Sequence, residues 1–386
     1  MSAFVFSCYI ALAFLVTPIY TPQFQEVAVE RQTIAFNWPA QGTASVGSFE
    51  STNILTSNKG SAPIPSASTI KLLTALVVLE QKPLGPTEQG EAIYFGSQDT
   101  ERFNETVAKG GAAIAVAQDT TITYREALDA MLMISANNIA EKLAIWGFGS
   151  VQAYTETATL YAKKLGLSAT VVTDASGLLS TTTTSANDMV LIAKAAIASP
   201  TIASIVKQTT VTLVNGTVLQ NTNNLLSEKG VIGLKTGFTG EAGYCLVLAK
   251  TVRIFGRDKV LFATTFGQPN RISAETAASG LISQVELGYE NVVVASKNQK
   301  VAELVSPWGA VIEIRPKADV TTVKWKGDSV TATVDIASIS QAKGGDIVGQ
   351  LKIDGQTFDL VTTASLPRPS IWWRITHAVD YITQKL

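Results

Sequence analysis

Residues 66–79 move from a polar opening into an apolar run: SASTIK is followed by LLTALVVL. The run is apolar nearly all round, which predicts a buried helix with Ser66 or Ser68 as its cap. From Thr123 to about Gly166, apolar positions recur at helical spacing in YREALDAMLMIS, NNIAEKLAIWG and VQAYTETATLYAKKLG. SANDMVLIAKAAIAS predicts a further helix, with Ser185 as N-cap and a stop at Pro200. Strand patterns fill Ile202 to Gly267, among them a hairpin on Asn215-Gly216 and the neighbouring strands EAGYCLVLAKTV and DKVLFATTFG. RISAETAASGLISQVELG closes the region as a helix. Ahead of Ser66, the stretches QTIAFNWP, GTASVGSF and STNILTSNKG alternate around glycine and proline as short strands or turns. This order predicts an α+β domain over 25–288, with helices covering a mostly antiparallel sheet.

After Gly288 the texture changes to strands at about ten-residue spacing with turn signals between them, from ENVVVASKNQKVAELV to QLKIDGQTFDLVTTAS. Residues 289–366 therefore read as a small all-β domain, a stalk or docking module. Leu366-Pro367-Arg368-Pro369 breaks the chain before an amphipathic tail, 367–386. Ile371, Ile375, Ala378, Val379, Ile382 and Leu386 share one helical face, Trp372 borders it, Trp373 lies further round, and Arg374 and Lys385 flank the other edge. Tryptophans and cations at that rim suit a helix lying on a membrane surface. The other reading packs the helix back on the β domain. Residues 1–22 open with an apolar core, Ala3 to Val16, about 21 Å long as a helix and short of a bilayer. They read as a signal peptide or N-terminal anchor, hence an exported protein, although the usual positive n-region is absent.

Composition narrows the chemistry. The 386 residues allow two or three domains, and a net charge of −1 with 16% charged residues shows no basic stripe for nucleic acid. Two cysteines, Cys8 and Cys245, leave no structural disulfide or multi-cysteine metal site. A single histidine, His377, argues against a zinc site and a Ser-His-Asp triad. A serine nucleophile here needs another base.

Ser68-Thr69-Ile70-Lys71 offers one. Residues i and i+3 share a helix face, and a lysine desolvated at the mouth of an apolar helix has a lowered pKa and can act as a base. The alternative is an ordinary capped helix whose lysine reaches back to solvent. Two later stretches favour the first reading. Ser135-Ala136-Asn137 falls where the chain turns between helices, and Lys235-Thr236-Gly237 opens a strand whose glycine permits close approach by a ligand.

In this order, about 65 and 100 residues apart, the three motifs resemble those of the low-molecular-weight penicillin-binding proteins, the D-alanyl-D-alanine carboxypeptidases of peptidase family S11. TDASGLLSTTTTSANDMVLIAKA and GLKTGFTGEAGYCLV are similar to further family segments, and the likeness spans roughly residues 45 to 386. It implies a β-lactamase/transpeptidase-like domain, a small β module and a membrane-associating tail. It implies that Ser68 is the nucleophile, Lys71 its base, Ser135 a proton relay to the leaving amine and Asn137 a substrate-amide contact. Lys235 would supply charge and Thr236 would contact the terminal carboxylate of a peptidoglycan stem peptide. Backbone N–H groups of Ser68 and Phe238, beside Gly237, would form the oxyanion hole, with β-lactams as inhibitors and neither cofactor nor metal. GQPNRISAETAASGLI resembles the family's strand-end arginine segment, which implies Arg271 as a second carboxylate contact, expected beside a strand that pairs with the Lys235 strand; otherwise Arg271 pairs with Glu275 one turn on. Asn138, where an acidic residue is common, and Phe238, where a smaller or polar one is usual, depart from the family pattern. A class A β-lactamase would add a deacylating glutamate, for which Glu156 is the nearest candidate. A D,D-endopeptidase and a silent wall-binding module are the remaining alternatives.

Overall fold

The computed structural model describes residues 19–51 and 54–383, with side chains through 377. Most of the apolar segment read as a signal peptide or anchor lies outside the described residues. The chain divides into two compact units, one of Ala35–Gly288 and one built from the chain on either side of it.

In the first unit, five strands form an antiparallel sheet: β1 (Thr43–Ser48), β2 (Thr56–Asn58), β3 (Val231–Thr239), β4 (Gly243–Ile254) and β5 (Arg257–Gln268). Their order is β3-β4-β5-β1-β2, which leaves β3 at an edge. The hairpins β3–β4 and β4–β5 set the registers Gly237↔Cys245 and Val247↔Thr264. β4 therefore lies between β3 and β5, and the expected pairing of β5 with the Lys235 strand does not occur: two successive hairpins must put the middle strand in the middle.

The helices are α1 (Lys71–Gln81), α2 (Ser97–Ala108), α3 (Tyr124–Met133), α4 (Asn137–Phe148), α5 (Val151–Lys164), α6 (Ala186–Ala198), α7 (Pro200–Val206) and α8 (Arg271–Leu287). Val247, Ala249 and Phe262 join the core shared with α1 and with the helices from α3 to α7. Their strand neighbours Leu246, Leu248, Leu261 and Ala263 are buried as well. Successive strand residues face opposite ways, so both faces are covered, with α8 packed along β4 and β5. That is why β4 and β5 read as near-continuous apolar runs.

Several elements follow from local chemistry. Thr123 caps α3 with Glu126 reciprocating, and Ser185 caps α6 by accepting from Asp188 N. The strands expected from Ile202 begin instead with α7, because Pro200 at the first helical position starts a helix as readily as it stops one. The polar opening of α1 also differs from its expectation. Residues Ala67–Ile70 form a 3-10 turn with no side-chain cap, and Ser66 Oγ donates to Ala67 O instead. No strand forms in QTIAFNWP.

In the second unit, a seven-stranded sheet runs Thr21–Phe24, Ala302–Val305, Val311–Pro316, Gln356–Thr362, Ile347–Ile353, Val330–Ile336 and Val27–Val29 in spatial order. The two N-terminal strands thus pair with 302–305 and 330–332, which moves the start of the α+β unit from residue 25 to Ala35. A tail helix, α9 (Ile371–Thr383), follows. Its Trp373 ring packs edge-on to Trp308, centroids 5.5 Å apart, and stacks on His377. Trp372, by contrast, is 74% exposed.

Candidate active site

The 3-10 turn places Ser68 in the lining of a cleft of about 760 Å³, and α1 sets Lys71 beneath it. Leu72, Leu73, Ala75, Val77 and Val78 are buried around the helix, each aliphatic side chain larger than alanine contributing about 1.5–3 kcal/mol. This anchoring draws Lys71 inside as well, and its side chain is fully buried. It does not reach back to solvent. Its Nζ lies 2.8 Å from Ser68 Oγ, 2.6 Å from Asn137 Oδ1, 2.8 Å from Ser176 O and 3.5 Å from Ser135 Oγ. Asn137 Oδ1 and Ser176 O can only accept. A neutral amine has two N–H groups for them and one lone pair left, which meets the Ser68 hydroxyl. Burial, and then the positive charge of Lys235, hold the Lys71 pKa well below the ordinary lysine value against an opposing pull from Asp174.

The carbonyl that meets Lys71 comes from a loop that the sequence motifs do not single out. Asp174 folds this loop by accepting from Ser176 N, Ser176 Oγ, Leu178 N and Thr182 Oγ1. One turn beyond Lys71, Thr74 Oγ1 donates to Ala175 O at 2.8 Å and docks the loop along α1. Gly177 sits at φ +73°, and a Cβ there would lie 1.9 Å from Ala67 O. No other residue fits at that point.

Between α3 and α4, Ser135 adopts φ +67°, a conformation that costs a non-glycine residue about 1–3 kcal/mol. The turn is held by Asn137 N donating to Ala112 O at 2.7 Å. Asn138 points elsewhere, exchanging two hydrogen bonds with the backbone of Ile114. It ties the start of α4 to the 112–116 segment, and its donation to Ile114 O is one that a carboxylate could not make.

On β3, alternation buries Lys235 and Gly237 and turns Thr236 and Phe238 outward. Lys235 is 1% exposed, donates to Thr236 O, and burial pushes its pKa down to about 7. A Cβ on Gly237 would stand 3.1 Å from Ser68 N and 3.2 Å from Ala67 Cβ. The close approach expected of a ligand is thus made first by the protein's own serine turn. Phe238 is 55% exposed and its ring lies 4.3 Å from that of Tyr244 at the cleft rim.

Ser68, Ser135, Asn137, Thr236, Gly237, Phe238 and Arg271 all line this one cleft, and Lys71 and Lys235 lie buried beneath it. Arg271 arrives on the first turn of α8 rather than from a neighbouring strand. Its Nε pairs with Glu275 at 3.2 Å and its NH2 donates to Thr222 O. The pairing with Glu275 and the place in the cleft are both true. Sequence reasoning missed Ser176, Asp174 and Thr222. The signals were the DASG turn and the two asparagines flanking Thr222. Glu156 lies exposed on α5, bonded to Gln152, and is not part of the cleft lining. Among the described residues, no cluster of three or more His, Cys, Asp or Glu side chains could hold a metal.

An antiparallel sheet under helices, with a serine, two buried amines and a hydroxyl-lined cleft, belongs to the serine acyl-transfer enzymes. The family model of D-alanyl-D-alanine carboxypeptidase, peptidase S11, matches residues 40–259, and the chain belongs to that family. The D-alanyl-D-alanine carboxypeptidase DacF of Bacillus subtilis is 26% identical over 71% of this chain and 69% of its own length. A D-alanyl-D-alanine endopeptidase of Escherichia coli is 25% identical over 77% and 94%. In fold, the chain is similar to penicillin binding protein 5 of Haemophilus influenzae, with a TM-score of 0.62, 21% identity, and coverage of 87% of this chain and all of that one.

Proposed function

We propose that the protein is an exported serine-type D-Ala-D-Ala carboxypeptidase that removes the terminal D-alanine from peptidoglycan stem peptides through an acyl-enzyme on Ser68. The observation that carries the reading is the set of partners around Lys71 Nζ, which consumes both N–H groups of a neutral amine and leaves its lone pair for Ser68 Oγ. Ser68 Oγ attacks the carbonyl carbon of the penultimate residue while its proton passes to Lys71. The oxyanion meets the backbone N–H groups of Ser68 and Phe238. As the amide C–N bond breaks, the proton returns from Lys71 through Ser135 Oγ, 3.5 Å away, to the leaving amine. Water then cleaves the ester, with Lys71 again taking a proton. Asn137 holds the substrate amide, and Lys235, Thr236 and Arg271 hold the terminal carboxylate. β-Lactams acylate the same serine.

The α9 helix associates with a membrane surface through Trp372 and its neighbours, and Trp373 joins it to the β unit. The experiment is release of free D-alanine from an acyl-D-Ala-D-Ala peptide. Steady release by the unmodified protein and none by Ser68→Ala supports the reading; equal release by both contradicts it. A second reading, D,D-endopeptidase, draws on the relative of that name matched over 94% of its length. Arg271 separates the two, because a crosslinked substrate lacks the free carboxylate beside the scissile bond.

A further inference from the structure

Three parts of the cleft meet at a residue outside all three motifs. Thr222 Oγ1 lies 2.7 Å from Thr236 Oγ1 and 3.2 Å from Met133 O, at the end of α3 two residues before Ser135. Thr222 N donates to the same Met133 carbonyl at 3.0 Å. Thr222 O accepts from Arg271 NH2. The loop is fixed from both sides: buried Asn221 donates to Gln208 O at 2.9 Å, and buried Asn223 accepts from Leu225 N. Thr222 itself is half-buried and lines the cleft.

We propose that Thr222 is a positioning residue that aims both carboxylate contacts, Thr236 through its hydroxyl and Arg271 through its carbonyl. The inference rests on the carboxypeptidase reading above. Each hydroxyl has one proton to donate. In one arrangement Thr236 donates to Thr222 and Thr222 donates to Met133 O. In the other, Thr222 donates to Thr236 and Thr236 donates into the cleft. Met133 O keeps the Thr222 N–H in both, so the second arrangement leaves no buried acceptor without a donor. A carboxylate facing Thr236 can only accept, and it selects the second. A Thr236 hydroxyl that already receives a hydrogen bond is also the better donor.

Thr222→Val keeps the β-branched shape and both backbone bonds and removes only the hydroxyl. The probes are an acyl-D-Ala-D-Ala peptide and an acyl-D-alanine thioester whose leaving thiol carries no carboxylate. We expect the ratio of kcat/KM for peptide over thioester to fall about three- to tenfold in Thr222→Val, mostly through KM, with Thr222→Ser restoring it to within about twofold. Thr222→Ala gives the same readout should valine disturb the loop. In the Thr236→Val background, Thr222→Val should add almost nothing, because its effect passes through Thr236. An unchanged ratio, or fully additive losses, overturns the proposal while leaving Ser68 acylation intact. Absence of any Ser68 acyl-enzyme in the unmodified protein overturns it together with the reading it rests on.

Discussion

Gly237 stands so close to Ser68 that a Cβ on the glycine would lie 3.1 Å from the serine backbone nitrogen. The third motif therefore abuts the first, against the turn that carries Ser68, the proposed nucleophile, and one of the two proposed oxyanion donors. Gly237→Ala must push that turn away. A misplacement of this kind is expected to slow acylation by about tenfold or more, while the buried core around α1 keeps the fold. The second-order rate constant of penicillin acylation checks this; a rate within about twofold of the unmodified protein would show that the turn is set elsewhere.

The two buried lysines predict opposite pH limbs. Lys71 works as a base only when neutral, and its pKa is held well below the ordinary value, so acylation competence is gained as pH rises through that low value. Lys235 attracts a carboxylate only when charged, and its pKa is about 7. That attraction is therefore lost as pH rises through about 7 in the free enzyme. kcat/KM for a carboxylate peptide should fall on the alkaline side of 7. Lys235→Arg, which stays charged, should flatten this limb. Lys71→Arg cannot shed a proton and should lose acylation by about a hundredfold or more at every pH. An alkaline limb unmoved by Lys235→Arg would assign it to another group.

Arg271 and Glu275 separate through substrates. Arg271→Ala should reduce hydrolysis of free-carboxylate peptides by about 2–3 kcal/mol, the size of a lost charge-assisted hydrogen bond, and reduce cleavage of crosslinked dimers clearly less. Glu275→Ala should cost less than Arg271→Ala, because Thr222 O still holds the guanidinium. Steady-state kinetics of both variants on both substrates check this. Equal losses below about 1 kcal/mol would make the two residues an ordinary surface ion pair with no part in carboxylate binding.

On the tail, Trp372 and Trp373 should behave differently. Trp373 packs against Trp308, so Trp373→Ala should lower the thermal transition of the β unit. Trp372 is exposed, so Trp372→Glu should reduce cosedimentation with anionic vesicles and leave that transition in place. A version spanning residues 19–367, which keeps Tyr20 and the strand Thr21–Phe24 that pairs with 302–305, should not sediment at all. Equal sedimentation with and without the tail would remove the membrane role.

The parts of the molecule most legible in the sequence were those written in local chemistry. The Ser185 cap, the Asn215-Gly216 hairpin and the apolar run of α1 all carry short-range signals. The three motifs were legible as well, because each combines a reactive residue with a turn or an edge. What escaped were long-range partners. Pro200 breaks one helix and begins the next, and its type alone does not say which. The strands at 21–24 and 27–29 pair with partners about 280–300 residues later, which periodicity cannot report. Ser176 contributes through its carbonyl, which carries no residue signature. Thr222 works by its place between Met133, Thr236 and Arg271, and nothing in its own neighbourhood names those three.

The central claim is that Ser68, activated by Lys71, becomes the acyl-enzyme, and mass mapping after incubation with a fluorescent penicillin tests it most directly. The predicted result is one adduct, on the peptide that contains Ser68, absent from Ser68→Ala although that variant's thermal transition stays within a few degrees. An adduct on another residue, or labelling that survives in Ser68→Ala, would contradict the account.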